Sequence, residues 1–67
     1  MKQFFKVVVK DEDGEEGTGF SYYIAESMGA VWHYLAERGH AAHIWEIKRL
    51  AEIPAGYEAY ARDIRAI

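Results

Sequence analysis

The chain has 67 residues, of which 51% are hydrophobic and ten are aromatic, and its formal net charge is −3. This length suits one domain over residues 1–67, which buries only about 60% of its unfolded surface and therefore needs a dense core. The absence of cysteine excludes disulfides and thiolate metal sites. Because no apolar run approaches the ~20 residues of a membrane span, we expect a soluble, cytoplasmic protein.

Two strands joined by a hairpin loop are predicted at the start of the chain. The segment from Gln3 to Lys10 is rich in β-branched and aromatic residues and contains no breaker. The segment from Asp11 to Gly19 has five acids, three glycines and an Asp-Gly pair, which is typical of a turn. The return strand is expected from Phe20 to Ala25, with Tyr22 and Tyr23 on opposite faces.

A helix is predicted from Ser27 to Gly39, and it is the element around which the remaining chain is organised. Ser27 can accept a hydrogen bond from the first turn, and Gly39 can end the helix in the left-handed conformation. Four apolar residues follow the i, i+3, i+4, i+7 spacing of one helical face, namely Met28, Val31, Trp32 and Leu35. Trp32 lies in the middle of this stripe, and we expect it at the centre of the core.

The segment from His43 to Leu50 fits two structures. It alternates as a strand with Trp45 and Ile47 inward, and it also fits a helix with Ile44, Ile47 and Ala51 on one face. We favour the strand, because a lone hairpin under a helix is poorly stable and a third strand closes the layer.

A C-terminal helix is predicted after Pro54, since Tyr57 to Ile67 has apolar residues at helical spacing. The fold class is therefore α+β with the element order ββαβα. Its single-layer, three-stranded sheet has the order 2-1-3, so every neighbouring pair is antiparallel, and one central helix packs on it. The outer sheet face is expected to carry Phe4, Val8 and Tyr23, covered by the C-terminal helix or by a partner.

Neither a metal site nor an active site is indicated. The three histidines, His33, His40 and His43, are too few for a structural zinc site, so we expect ordinary surface histidines and no cofactor. No nucleophile motif or phosphate-binding loop is present, and the carboxylates concentrate in an exposed loop. So small a domain also has little room for a pocket of ~300 Å³. We expect that the protein is not an enzyme.

The acidic surplus is confined to the first third of the chain. Residues 1–26 carry three lysines against six acids, whereas residues 27–67 carry five basic and five acidic residues. The acidic loop can steer the protein towards a basic surface, and aromatic residues can anchor the interface. The candidate partner-binding residues are Asp11, Glu12, Asp13, Glu15, Glu16, Phe4 and Tyr23. In the alternative interpretation, the acids only keep a hydrophobic domain in solution.

We favour a non-enzymatic protein-interaction module whose partner is a protein with a basic surface. By size and charge alone it is analogous to small acidic phage or mobile-element inhibitors of host nucleic-acid-processing machinery, such as anti-CRISPR proteins. One rival is a nucleic-acid-binding or regulatory module that uses Arg62, Arg65, Tyr57 and Tyr60. The missing basic stripe disfavours it. Another is a subunit whose outer sheet face pairs with its own copy in a homodimer.

Overall fold

The computed structural model describes residues 2–51 and 64–67, which form a mixed four-stranded sheet with one α-helix on one face. In chain order the elements are β1 (Gln3–Lys10), β2 (Glu16–Ala25), α1 (Met28–Glu37), a 3-10 turn (Ala41–His43), β3 (Ile44–Leu50) and β4 (Ile64–Ala66). The predicted strand β1 is thus confirmed, as is a strand, rather than a helix, in the segment that ends at Leu50.

The sheet has the order β3-β1-β2-β4. β1 is antiparallel to both of its neighbours, whereas β4 runs parallel to β2. β1 therefore occupies a central position between β2 and β3, as its two apolar faces indicate. β3 and β4 lie at the two edges.

The predicted C-terminal helix, and with it the ββαβα order and the three-stranded sheet, is wrong. The last residues form β4, in which Ile64 lies opposite Tyr22 and Ala66 lies opposite Ile24. The N–H of Ile67 extends the pairing by donating to the Ile24 carbonyl at 2.8 Å. The open edge of β2 offers backbone hydrogen bonds that the last turn of a terminal helix lacks. The rest of the predicted helix, residues 57–63, lies outside the described residues.

The hairpin loop is shorter than predicted, because β2 begins at Glu16 and not at Phe20. Glu16 lies opposite Lys10, and beyond this pair the register shifts at a β-bulge. A Cβ at Gly17 would lie 2.7 Å from the carbonyl oxygen of Val9. The glycine here serves the close approach of two strands, whereas its sequence context indicated a loop.

Both predicted ends of α1 are confirmed. The Ser27 hydroxyl accepts a hydrogen bond from the Ala30 N–H at 3.1 Å. Gly39 has a φ of 76°, and the N–H of His40 donates to the Leu35 carbonyl at 2.9 Å. This arrangement is a Schellman motif, which satisfies carbonyls that the helix end would otherwise leave unpaired.

The core lies between α1 and the sheet, and its fully packed part combines the ring of Phe5 with smaller aliphatic side chains. Its buried residues are Phe5, Val7, Ala25, Val31 and Leu35. The prediction that Trp32 is the centre of the core is wrong: Trp32 is 50% exposed and Met28 is 44% exposed. The helix turns Val31, Leu35 and Tyr34 towards the sheet instead. The shorter aliphatic side chains allow the helix to approach the strands closely.

The outer sheet face holds Tyr22 rather than Tyr23. Tyr22 is buried there, with its ring centroid 5.3 Å from that of Phe4. Tyr23 lies on the helix face, 5.9 Å from the ring of Tyr34. The prediction that placed Tyr23 beside Phe4 is therefore wrong, because both faces of β2 are apolar and the alternation alone does not say which one meets the helix.

Candidate functional site

An exposed apolar surface lies on the side of α1 that faces β3. We call it the tryptophan surface, and it consists of Met28, Trp32 and Trp45. Met28 and Trp32 are one helical turn apart and therefore neighbours on the helix. Trp45 is contributed by β3 and is 42% exposed. These three are three of the four large hydrophobic side chains that are exposed in the described part of the chain.

The tryptophan surface borders an open groove of about 530 Å³ between α1 and β3. Besides the three named side chains, the groove is lined by Gly29, Ala41, Ile44, Glu46 and Ile47. Gly29 and Ala41 are small, so the groove has room between the two tryptophans. A surface of exposed tryptophan and methionine next to small residues is typical of a protein contact rather than of a solvated face.

The acidic turn from Asp11 to Glu15 is ordered by one of its own carboxylates. Asp11 Oδ1 accepts hydrogen bonds from the N–H groups of Asp13 and Glu15, each at 2.9 Å. The Asp11 N–H donates to the Glu15 carbonyl at 2.8 Å, and Gly14 takes a φ of 79°. Asp11 therefore holds the turn through one carboxylate oxygen, and the side chains of Glu12, Asp13 and Glu15 accept none of these turn hydrogen bonds. All five predicted partner-binding acids of this segment, including Asp11 and Glu16, are exposed to solvent.

The other predicted site residues do not come together. Phe4 and Tyr23 lie on opposite faces of the sheet, so one partner cannot contact both across one flat surface. For the nucleic-acid alternative, Arg65 is exposed, with its guanidinium carbon 6.0 Å from the centre of the Tyr34 ring. Its three companions, Tyr57, Tyr60 and Arg62, lie outside the described residues.

A second cavity, of about 360 Å³, opens between the sheet and the C-terminal end of α1. It is lined by Val7, Val9, Lys10, Ser21, Tyr23, Leu35, His40, His43 and Ile44. The expectation that so small a domain has little room for a pocket is therefore wrong.

The histidines do not converge on a metal position. His33 Nε2 lies 2.9 Å from Glu37 Oε1, one helical turn away on the exposed side of α1. Among the described residues, no group of three histidine, cysteine, aspartate or glutamate side chains could hold a metal ion. Within the same residues, no helix is long and apolar enough to cross a membrane.

The sequence contained a signal for the tryptophan surface that the stripe prediction missed. Ala30, Val31, Tyr34 and Leu35 also follow helical spacing, and this second stripe points Trp32 away from the sheet. The two stripes share Val31 and Leu35. Only packing against the strands decides between them.

Comparison with protein families, with curated proteins and with solved structures found no match.

Proposed function

We propose that this protein is a non-enzymatic protein-interaction module that binds its partner through the tryptophan surface. The observation that carries this proposal is the exposure of Met28, Trp32 and Trp45 side by side, in a chain whose core is built from smaller residues. Trp32 is 50% exposed and Trp45 is 42% exposed, so the chain forgoes about half of the apolar burial that its two largest side chains offer. Tryptophan is also the residue type most enriched among interface positions that dominate binding energy.

The exposed acids of the turn support a partner with a basic surface. Glu12, Asp13 and Glu15 are exposed, and Asp11 holds the turn in one conformation. A fixed cluster of negative charge accelerates encounter with a positive surface, and salt screens the effect over about 8–10 Å. Nucleic-acid-processing machinery has such surfaces. Inhibition of it, in the manner of anti-CRISPR proteins, is the narrower form of the proposal, supported by size and charge alone.

The proposal is tested by affinity capture with the full chain from a lysate of cells that produce it, followed by mass spectrometry. Three baits are compared with the wild type. One carries Trp32→Ser and Trp45→Ser, which removes two of the three side chains of the tryptophan surface. Another carries Glu12→Gln, Asp13→Asn and Glu15→Gln, which leaves Asp11 in place. As a matched control, Phe20→Ser removes an exposed aromatic side chain on the other side of the sheet.

We expect the wild-type and Phe20→Ser baits to capture the same proteins. The yield of these proteins should be at least tenfold lower with the double tryptophan variant. The bait with three neutralised acids should retain them at lower yield, and added salt should lower the yields of the wild-type and Phe20→Ser baits most, because both keep every acid of the turn. Circular dichroism of each bait separates lost binding from lost folding. Captured proteins that are the same for all four folded baits would refute the tryptophan surface as the contact.

A further inference from the structure

β3 is an edge strand with an open side. Its seven residues pair with β1 along one side, and no described strand lies beyond it. An edge strand presents a row of backbone N–H and C=O groups that another strand can pair with. The other edge of the sheet, β4, has only three residues. β3 is therefore the longer template for strand addition, and it borders the tryptophan surface.

The sequence of β3 is complementary to itself when two copies run antiparallel about Ile47. In that register Glu46 lies opposite Lys48 of the second copy, and the converse pair repeats on the other side of the two-fold axis. Within one chain Lys48 Nζ already lies 3.6 Å from Glu46 Oε1, on the outer face of the sheet. Four charges of alternating sign would therefore adjoin. Opposite charges directly across a strand pair are stabilising.

The bulge of β3 limits the regular part of this register to the middle of the strand. Ile44 lies opposite Val9 and packs against the core, whereas Leu50 lies opposite Phe4 on the outer face, so these two end residues do not form a face-matched pair. The bulge of β3 lies between its pairs with Val8 and Val9 and so leaves the central pairs regular.

Neighbouring registers are penalised by charge. A two-fold axis at Glu46 would oppose two glutamates, and an axis at Lys48 would oppose two lysines. Like charges directly opposite one another are destabilising. A shift by a single residue is excluded because it would place outer-face and helix-face side chains opposite each other. The charges of β3 thus select the axis at Ile47.

The same symmetry covers the tryptophan surface. A two-fold axis perpendicular to the sheet keeps both helices on one face, so the groove beside β3 meets its equivalent from the second copy. Met28, Trp32 and Trp45 of each chain then lie at one continuous, self-complementary interface. One dimer interface would thus explain both the exposed apolar residues of the tryptophan surface and the open edge of β3.

We propose that two copies of this chain associate through β3, antiparallel and centred on Ile47, into one eight-stranded sheet. The inference rests on the proposed function and narrows it: the protein that the tryptophan surface binds is a second copy, and the partner with a basic surface binds the acidic turn. The acidic turn remains available to a different protein, because the turn is at the hairpin end and not on β3.

Charge reversal tests the register. Sedimentation of the purified chain from about 1 µM to about 1 mM should show a monomer–dimer equilibrium. Glu46→Lys places lysine opposite lysine, and Lys48→Glu places glutamate opposite glutamate; each should raise the dissociation constant at least tenfold. An equimolar mixture of these two variants restores unlike pairs, so it should associate like the wild type. Glu12→Lys reverses a charge on the turn and is the matched control.

Cysteine cross-linking tests the axis, since the chain has no cysteine of its own. Opposed residues of antiparallel strands have Cα atoms about 4.5–5.5 Å apart, which a disulfide can span. Mixed Glu46→Cys and Lys48→Cys chains should form a disulfide dimer on mild oxidation faster than either chain alone. Glu12→Cys should cross-link only slowly.

A monomer throughout the concentration range would overturn the inference. So would a dimer that neither charge reversal nor its mixture alters, or one in which Glu12→Cys cross-links as fast as the mixed chains. If the protein is monomeric but the tryptophan variant still loses its captured proteins, the proposed function stands and only the second copy is removed. If the dimer forms as described and the double tryptophan variant captures the same proteins as the wild type, the dimer stands. The contact with those other proteins then lies outside the tryptophan surface.

Discussion

Trp32 and Leu35 lie three residues apart in α1, yet the sheet buries only one of them. Leu35 is 6% exposed and packs with Phe5, Val7 and Val31, whereas Trp32 is 50% exposed. The size of an apolar side chain therefore does not decide its place in this domain. What decides it is how closely the helix backbone must approach the strands.

Alanine substitutions should separate the two residues. Leu35→Ala removes buried methyl groups and leaves a cavity, so it should lower the free energy of unfolding by roughly 2–5 kcal/mol. Trp32→Ala removes a half-exposed ring and should cost less than about 1 kcal/mol. Urea unfolding at a protein concentration of about 1 µM measures both, because self-association contributes little there. A larger loss for Trp32→Ala would place the tryptophan back in the core.

At the level of single residues, the sequence specifies caps and turns better than faces. Ser27 and Gly39 each act through a local conformation, and both predictions are confirmed. The faces of Trp32 and Tyr23 depend on contacts with distant strands. Each of the two residues has apolar neighbours on either face of its helix or strand. The apolar periodicity therefore fits two orientations of the element, and the prediction chose the wrong one.

Two glycines differ in whether the surrounding structure has room for a side chain. In the bulged part of β2, a Cβ at Gly17 would lie 2.7 Å from the backbone carbonyl oxygen of Val9. In the first turn of α1, a Cβ at Gly29 would meet only the Ser27 hydroxyl, at 3.8 Å. Position 17 therefore has no room for a side chain, whereas position 29 has.

Gly17→Ala and Gly29→Ala should therefore shift stability in opposite directions. We expect Gly17→Ala to cost more than about 1 kcal/mol, because backbone atoms must move to admit the methyl group. Gly29→Ala should add up to about 1 kcal/mol through helix propensity and a less flexible unfolded chain. Thermal unfolding of the two variants beside the wild type gives both signs. Equal destabilisation by the two substitutions would contradict the close approach of β1 and β2 at Gly17.

At the level of elements, β1, α1 and β3 could be predicted because each has a strong local pattern. The start of β2 could not, since glycines such as Gly17 and Gly19 occur both in loops and at β-bulges. β4 was missed for a different reason: the run from Ile64 to Ile67 fits both a helix and a strand. The free edge of β2, more than forty residues earlier, selects the strand.

The whole molecule carries its negative charge at one end of the β1–β2 hairpin, and the remaining described surface is mixed in sign. The candidate site is therefore divided between an acidic turn and an apolar groove. Sequence composition indicated the first, since a run of acids is visible in any fold. The groove became apparent only with the orientation of α1 over β3, because residues of two elements that are separate in the sequence line it.

The charge distribution predicts no specific binding to DNA or RNA at physiological salt. A chain with net charge −3 lacks the counterion release that drives association with phosphates. Fluorescence anisotropy with labelled single-stranded and duplex oligonucleotides should show no binding at micromolar protein concentrations. Micromolar affinity that falls steeply with added salt would favour the arginine-based alternative, and loss of that affinity in Arg65→Ala would assign it to β4.

The first and last strands bring distant positions of the chain together: the Lys2 ammonium donates a hydrogen bond to the Ile67 carbonyl. A short peptide linker between these positions would convert the backbone into a ring without moving either strand. Cyclisation restricts the unfolded chain as a long-loop disulfide does, which is a stabilisation of about 4 kcal/mol in the entropy model. New termini opened between Glu12 and Asp13 would then give a circular permutant in which β4 continues directly into β1.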